Sequence, residues 1–231
     1  MQAATPKPGT ATAIAAVEPP SAVDAVVDAI TRAVRDGQFV PGQRLVELDF
    51  ARRLGVSRSS VREAFQRLVA DGLLAAIPNR GVTIRQLSRE EVEDWFEVRI
   101  ALESLAIRKA TPVLAGDPAV LYLLLDAMDE AVGDGDIRRY SDLNRELHER
   151  CTRAAGNPHL ATLLERLGHS IHGLQFRLMV EPRKAFDTHA QHHRLVQAIL
   201  ANDADAAEGA VRAHLETTRR LIQALPDHHF A

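Results

Sequence analysis

Asn144 and His148 lie four residues apart, so on a helix their side chains share one face. His192 and His214 fall in two later segments of helical periodicity. Imidazole nitrogen is a ligand for zinc, nickel and other transition metals, and a helical bundle can aim such residues from facing helices at one interior point. The residue types alone leave alternatives open. His189, His192 and His193 could line a polar face, and Cys151, three residues beyond His148, reads as core rather than ligand. Arg99 sits between Trp95, Leu102 and Ala106 at helical spacing, on or beside an inward stripe. A guanidinium there is costly unless it finds an anion. That anion is either a structural partner such as Glu103 or the carboxylate of a bound small acid. Trp95 and Phe96 read as packing residues, and His228 and His229, near an unstructured end, as solvated.

A second chemistry is written in Ser57, Arg58, Ser59, Ser60 and Arg62. Short polar and cationic side chains at the N-terminal end of a helix suit base edges in a DNA major groove. Arginine can grip guanine O6 and N7 through two parallel hydrogen bonds, while serine hydroxyls and helix-end N–H groups suit phosphate oxygens. The turn Asn79-Arg80-Gly81 can approach the backbone or minor groove, with Gly81 tolerating a positive φ. A solvated helix face would use the same arginines; the full arrangement of turn, serine cluster, arginines and following hairpin favours DNA.

These residues must be positioned by recognisable elements. Ala22–Arg35 has a helical apolar period, ended by Asp36-Gly37. Leu48–Leu54 reads as a short second helix broken by Gly55, and Ser57 or Ser60 can cap a third that runs to about Ala70, Ser60-x-x-Glu63 also fitting a capping box. Leu73–Ile77 and Val82–Arg85 can pair as strands around Pro78-Asn79-Arg80-Gly81. Beyond Leu87 the pattern is helical. Ser88-x-x-Glu91 opens a helix to about Ala110, where Thr111-Pro112 punctuates. Further helices are expected over about 118–132, 137–155, 158–180, 181–201 and 204–225, with no β signal. The fold class is mainly α: a winged helix-turn-helix over 21–87, then an all-helical bundle of about six helices over 88–231.

The bulk numbers agree. A chain of 231 residues is comfortable for two domains, and 46% hydrophobic with only 4% aromatic residues favours packed helices. The net charge of −3 hides a split. Residues 21–87 hold 10 Lys/Arg against 7 Asp/Glu, whereas 88–231 hold 17 against 23. A basic module on an acidic body is expected if only the module touches phosphate. The single cysteine excludes an intramolecular disulfide and suits a reducing, cytoplasmic setting. Residues 1–20, rich in Ala, Thr and Pro, read as a disordered tail, neither signal peptide nor membrane span.

The segment PGQRLVELDFARRLGVSRSSVREAFQRLVADGLL with its following NRGV closely resembles the winged-helix domain of the GntR family of bacterial repressors. The resemblance implies that Arg58, Arg62 and the wing around Arg80 and Gly81 hold operator DNA. Fatty-acid-responsive members have a further DNA-contacting arginine where this chain has Leu48, so their operator sequence does not transfer. The body resembles the FCD-type ligand-binding domain of the FadR-like subfamily. SDLNRELHERCTRAAGNPHL matches its D/N-x-x-x-H helix, implying Asn144 and His148 as metal ligands. QHHRLVQAILANDADAAEGAVRAHL matches its end segment, where two histidines lie 22 residues apart, which is the separation of His192 from His214 and not of His193. Many members carry Asp at position 144; the neutral amide oxygen of Asn is a weaker ligand.

Together these readings give an expectation and its rivals. The expected protein is a homodimeric repressor that binds a palindromic double-stranded operator, since one recognition helix reads few bases. Its body holds a divalent metal (zinc first, nickel or manganese next), at which a small carboxylic acid binds, with Arg99 as a second contact. The rivals are a regulator for which the ion itself is the effector, and a metal-dependent enzyme. Against the enzyme stands the lack of an HExxH or nucleophile–base motif.

Overall fold

Ser21 caps the first helix through its hydroxyl, which accepts from the Asp24 backbone N–H at 3.1 Å, while the Asp24 carboxylate returns to the Ser21 N–H at 3.3 Å. This is a computed structural model, and it describes residues 21–78, 81–179, 186 and 188–231, without the side chains of 169, 170, 172, 173 and 175–179. The expected tail and Arg80 of the wing therefore lie outside the described residues.

Helix α1 (Ala22–Arg35) is followed by strand β1 (Arg44–Leu45), α2 (Glu47–Leu54), α3 (Arg58–Ala70), β2 (Leu74–Ile77) and β3 (Gly81–Ile84). Gly55, at φ 67°, ends α2 and makes the tight turn. Ser57 rather than Ser60 caps α3, accepting from the Ser60 N–H at 3.1 Å. Ser60 thus lies inside the helix, and the alternative cap at that position does not form. The sheet has three strands in the order β1-β3-β2, all antiparallel. β1 was absent from the hairpin expected from sequence, because two residues are too short to show a period. Ile30, Val61, Phe65, Leu68 and Leu74 form the heart of this domain's core.

The body holds six helices among the described residues: α4 (Arg89–Gly116), α5 (Ala119–Gly133), α6 (Ile137–Ala154), α7 (Pro158–Met179), α8 (His189–Leu200) and α9 (Ala204–Gln223). The capping box expected at Ser88 forms, with the Glu91 N–H on the Ser88 hydroxyl at 3.0 Å and the Ser88 N–H on the Glu91 carboxylate at 2.8 Å. α4 does not stop at Ala110 but continues through Pro112 for another turn. Its inner side remains buried across the proline at Ala110, Thr111 and Leu114, and the exposed ring sits on the outer side. Packing outweighs the local preference. The expected helix start at Glu181-Pro182 lies outside the described residues, and α8 is described from His189. The main core is mostly aliphatic, with Leu121, Met128, Leu147, Leu195 and Ile199 packed around the aromatic Phe96 and Tyr140.

The C-terminal end is docked rather than loose, which corrects the expectation of an unstructured end. A short 3-10 turn spans Asp227–His229, and Phe230 is buried under the Arg89 guanidinium, 4.0 Å from the ring centre. Arg89 also donates to the carbonyls of Gln223 and Leu225 and to Asp227. Gln86 donates to the Phe230 carbonyl at 2.5 Å, and the Ala231 N–H donates to Leu87 at 3.0 Å. His228 is exposed, as expected.

Candidate metal centre and nucleic-acid surface

Asp136 caps α6, accepting from the Arg139 N–H at 2.9 Å, and so fixes where the helix begins. From that start, Tyr140, Asn144, Leu147, His148 and Cys151 recur at three- and four-residue steps along the side of α6 that faces the core. α8 buries His192 beside Leu195, Val196 and Ile199, and α9 buries His214 beside Val211 and Leu215. The three imidazoles meet. Ring centres are 5.7 Å apart for His148–His192, 5.2 Å for His148–His214 and 4.4 Å for His192–His214. One nitrogen from each lies within 4.8 Å of those of the other two.

Among the described residues, His148 Nε2, His192 Nε2 and His214 Nδ1 of this cluster are buried without a hydrogen-bond partner, and so is Oδ1 of Asn144, one turn before His148 on α6. A buried polar atom left unpaired costs about 1–3 kcal/mol, so three imidazole nitrogens unpaired at one place are a poor core. All four can present a lone pair, and a single divalent cation would satisfy the three imidazole nitrogens together. The donor set fits a transition metal: three imidazoles and one amide oxygen.

The opposite nitrogens explain the tautomers. His148 Nδ1 donates to Glu103 Oε2 at 3.1 Å, leaving Nε2 bare. His192 Nδ1 pairs with the Tyr140 hydroxyl at 3.2 Å. Such outer contacts orient a ligating imidazole and raise its basicity. Burial, followed by the neighbouring imidazoles, holds His192 well below the usual histidine range. Burial, with His148 next in weight, brings His214 down to about 3. Both are therefore neutral at physiological pH with lone pairs available. Glu103 is buried, which alone would raise its carboxyl, but Arg99 and His148 hold it far below the ordinary carboxylate range.

Arg99 finds its anion within the chain. It ion-pairs with Glu103 through Nε and stacks over Trp95 at 5.2 Å from the ring centre. Its two terminal amino groups make no hydrogen bond among the described residues. The salt bridge anticipated as an alternative is thus present, and its Glu103 also contacts His148 of the histidine cluster. What sequence reasoning missed is that Glu103 serves Arg99 and His148 at once; the Arg99–Glu103 spacing of four was the available signal. Trp95 and Phe96 pack edge to face at 5.1 Å in the core, as expected. Cys151 is buried and lies among core residues rather than in the cluster.

On the DNA-reading side, Ser57, Arg58, Ser59 and Arg62 stand exposed at the start of α3, and Ser60 is half-buried. The Ser57 hydroxyl lies 2.7 Å from that of Ser59 and 2.8 Å from that of Ser60. Both arginines converge on Glu47, in the first turn of α2. Arg62 makes a two-pronged pair at 3.0 Å and Arg58 approaches to 3.6 Å. Gly81 adopts φ 86°, and a Cβ there would lie 3.9 Å from the Arg44 guanidinium. Arg44, on the unforeseen strand β1, therefore belongs to the wing. Leu48 lies in the first turn of α2, partly exposed.

Comparison with known proteins agrees with this layout. The sequence profile of the FCD domain matches residues 94–217, and that of the bacterial regulatory proteins of the gntR family matches residues 22–84. The HTH-type transcriptional regulator YdhC of Bacillus subtilis (strain 168) is 30% identical over 189 residues, covering 80% of this chain and 84% of YdhC. The HTH-type transcriptional repressor GlaR of Escherichia coli (strain K12) is 27% identical over 201 residues, covering 81% and 89%. The structure of E. coli McbR/YncC superposes with a TM-score of 0.79 at 23% identity over 88% of this chain and 97% of that one, a likeness of fold. These relatives are regulators rather than enzymes. No single helix among the described residues is long and apolar enough to cross a membrane.

Proposed function

The chain belongs to the GntR family of bacterial regulatory proteins and carries an FCD domain behind its winged helix, and from that premise we propose that this DNA-binding transcriptional regulator is a repressor controlled by a small carboxylic acid at a metal held by Asn144, His148, His192 and His214. The observation that carries the reading is the convergence of three imidazoles from three helices, each with a buried nitrogen unpaired among the described residues, with the unpaired Oδ1 of Asn144 one turn before His148. Zinc is the first choice, with nickel or manganese next. Bound there, the ion supplies a Lewis-acidic position for a carboxylate. The free amino groups of Arg99 are the second contact for that acid.

Residues 21–87 form the reading domain and 88–231 the sensing and dimerising one. Helix α4 joins them. It begins beside the wing, where Arg85 pairs with Glu91 at 2.7 Å, and carries Glu103 to the metal cluster. From Arg89 to Glu103 it spans about 21 Å at ~1.5 Å per residue. A change at His148 therefore reaches the wing through one rigid element. The acid must favour the geometry that does not fit the operator, because equal affinity for both would shift nothing. Val98, Leu105 and Val113, exposed at seven- and eight-residue spacing on α4, supply an apolar stripe for a second copy. Two winged helices then read a cytoplasmic palindrome whose half-sites lie ~34 Å or a multiple apart. Ser57, Arg58, Ser59, Ser60, Arg62, Arg80 and Gly81 make the DNA contacts.

The test uses the full chain, stripped by chelator or reloaded with zinc, and labelled DNA from upstream of its own gene. Small carboxylic acids are titrated against the complex. Release by an acid from the zinc-loaded form alone is the expected result, and His192→Ala should lose both metal and response while still binding DNA. Release that is equally strong from the stripped protein would overturn the reading. Release by zinc alone would replace it with a metal sensor.

A further inference from the structure

A second group of side chains able to ligate lies about a quarter turn round α8 from His192. His189 and His193, one turn apart, both direct Nε2 at the same oxygen of Asp129 on α5, at 2.6 Å and 2.8 Å. Their rings are 4.9 Å apart at 82°, and one ligating atom from each of the three residues lies within 4.8 Å of the others. None of these residues belongs to the buried cluster, which takes only His192 from this helix. We infer that Asp129, His189 and His193 form a second, exchangeable site for a divalent transition cation, zinc or nickel in class, that clips α8 to α5.

The chemistry follows from the donors. Two imidazoles at i and i+4 on a helix, joined by one carboxylate, are borderline-soft ligands that favour zinc, nickel or copper over magnesium or calcium. The two imidazole N–H groups now share one carboxylate oxygen, where an ion at ~2.0–2.1 Å from each nitrogen would hold all three groups. Insertion needs the carboxylate to retreat by roughly half an ångström, since ligands around a tetrahedral ion stand ~3.3 Å apart. Asp129 can do this: its side chain is 48% exposed, against 14% for His189. Burial works against its charge, but the hydrogen bonds from His193 and His189 hold its carboxyl below the ordinary range, so it is ionised and ready to ligate. Three protein ligands at a solvent-facing edge leave positions for water. The site should exchange its ion faster than the buried one.

The position gives the clip a consequence. Tyr140 lies edge-on to both His189, at 5.6 Å, and His192, at 6.3 Å, and its hydroxyl holds His192 Nδ1. An ion joining α5 to α8 would steady the helix that presents His192, so the outer site tunes the inner one.

Zinc titration of the chelator-stripped full chain, followed calorimetrically, tests this. Wild type should take up a tight equivalent and a second, weaker one. Asp129→Ala with His193→Ala should remove only the weaker class, and His214→Ala only the tighter. Asp129→Asn should weaken the outer class at least tenfold, and thermal melts of all variants report folding. A weaker class that persists in the Asp129/His193 variant, or is missing from both wild type and His214→Ala, overturns the inference. The outer class alone in wild type would leave this inference standing and bring down the metal reading of the buried cluster.

Discussion

Glu103 accepts a hydrogen bond from Nδ1 of His148 at 3.1 Å, and this contact decides which nitrogen of His148 faces the other two imidazoles. A carboxylate behind a ligating histidine fixes its tautomer and ring plane. Removing such a partner typically costs 10–100-fold in metal affinity. Glu103→Gln should therefore weaken zinc binding by about 10–100-fold, read by competition with a coloured chelator. Arg99 would lose its ionic partner in the same variant, so far-ultraviolet dichroism and a thermal melt should accompany the titration. Unchanged zinc affinity in a folded variant would remove Glu103 from the site.

Arg62→Ala should weaken operator binding by about 5–150-fold, the ~1–3 kcal/mol that a two-pronged arginine contact contributes to base discrimination. The loss should be sequence-dependent, with the salt dependence nearly unaltered, and anisotropy titrations at several salt concentrations measure both. An equal loss on operator and random DNA with a flatter salt slope would assign Arg62 to phosphate instead.

Pro112 breaks a rule that its surroundings override. An interior proline removes one helical hydrogen bond and costs about 3 kcal/mol relative to alanine. Since α4 passes through this exposed position without ending, Pro112→Ala should stabilise the protein by about 1–3 kcal/mol. A denaturant midpoint that fails to rise would mean that the proline fits the helix at no cost.

Cys151 gives a pH-dependent test. Burial, then the Glu103 carboxylate, pushes its thiol from 9.0 up to about 12. The folded value lies above the unfolded one, so this contribution to stability is complete below about pH 9 and fades as pH rises toward 12. At pH 8 the native thiol should resist a disulfide reagent, then react promptly once denaturant is added. Rapid reaction in the native state would contradict its burial.

Much of this was legible in sequence because its signals are local. Gly55, Ser57 and the Ser88–Glu91 box each act within four residues, and the i, i+4 pair of Asn144 and His148 needs only a helix to share a face. What escaped depended on distance in the chain. β1 exists because Arg44 and Leu45 find Thr83 and Val82, some forty residues later. The docking of Phe230 on Arg89 joins the two ends of the body, and no periodicity announces it. The sharing of Asp129 by His189 and His193 is of the same kind: the histidine pair is visible, but the carboxylate comes from another helix. The C-terminal expectation failed for that reason, whereas α4 outran its expected end because burial at Leu114 outweighs a local breaker.

Glu47 pairs with Arg58 and Arg62, the two arginines proposed to hold DNA. The free protein thus carries an internal decoy, and binding an operator is an exchange of one anion for another. Added salt loosens both the DNA contact and the decoy. The measured salt slope should consequently understate the number of phosphates engaged, and a regulator with a muted response to ionic strength can still lie on a heavily charged interface.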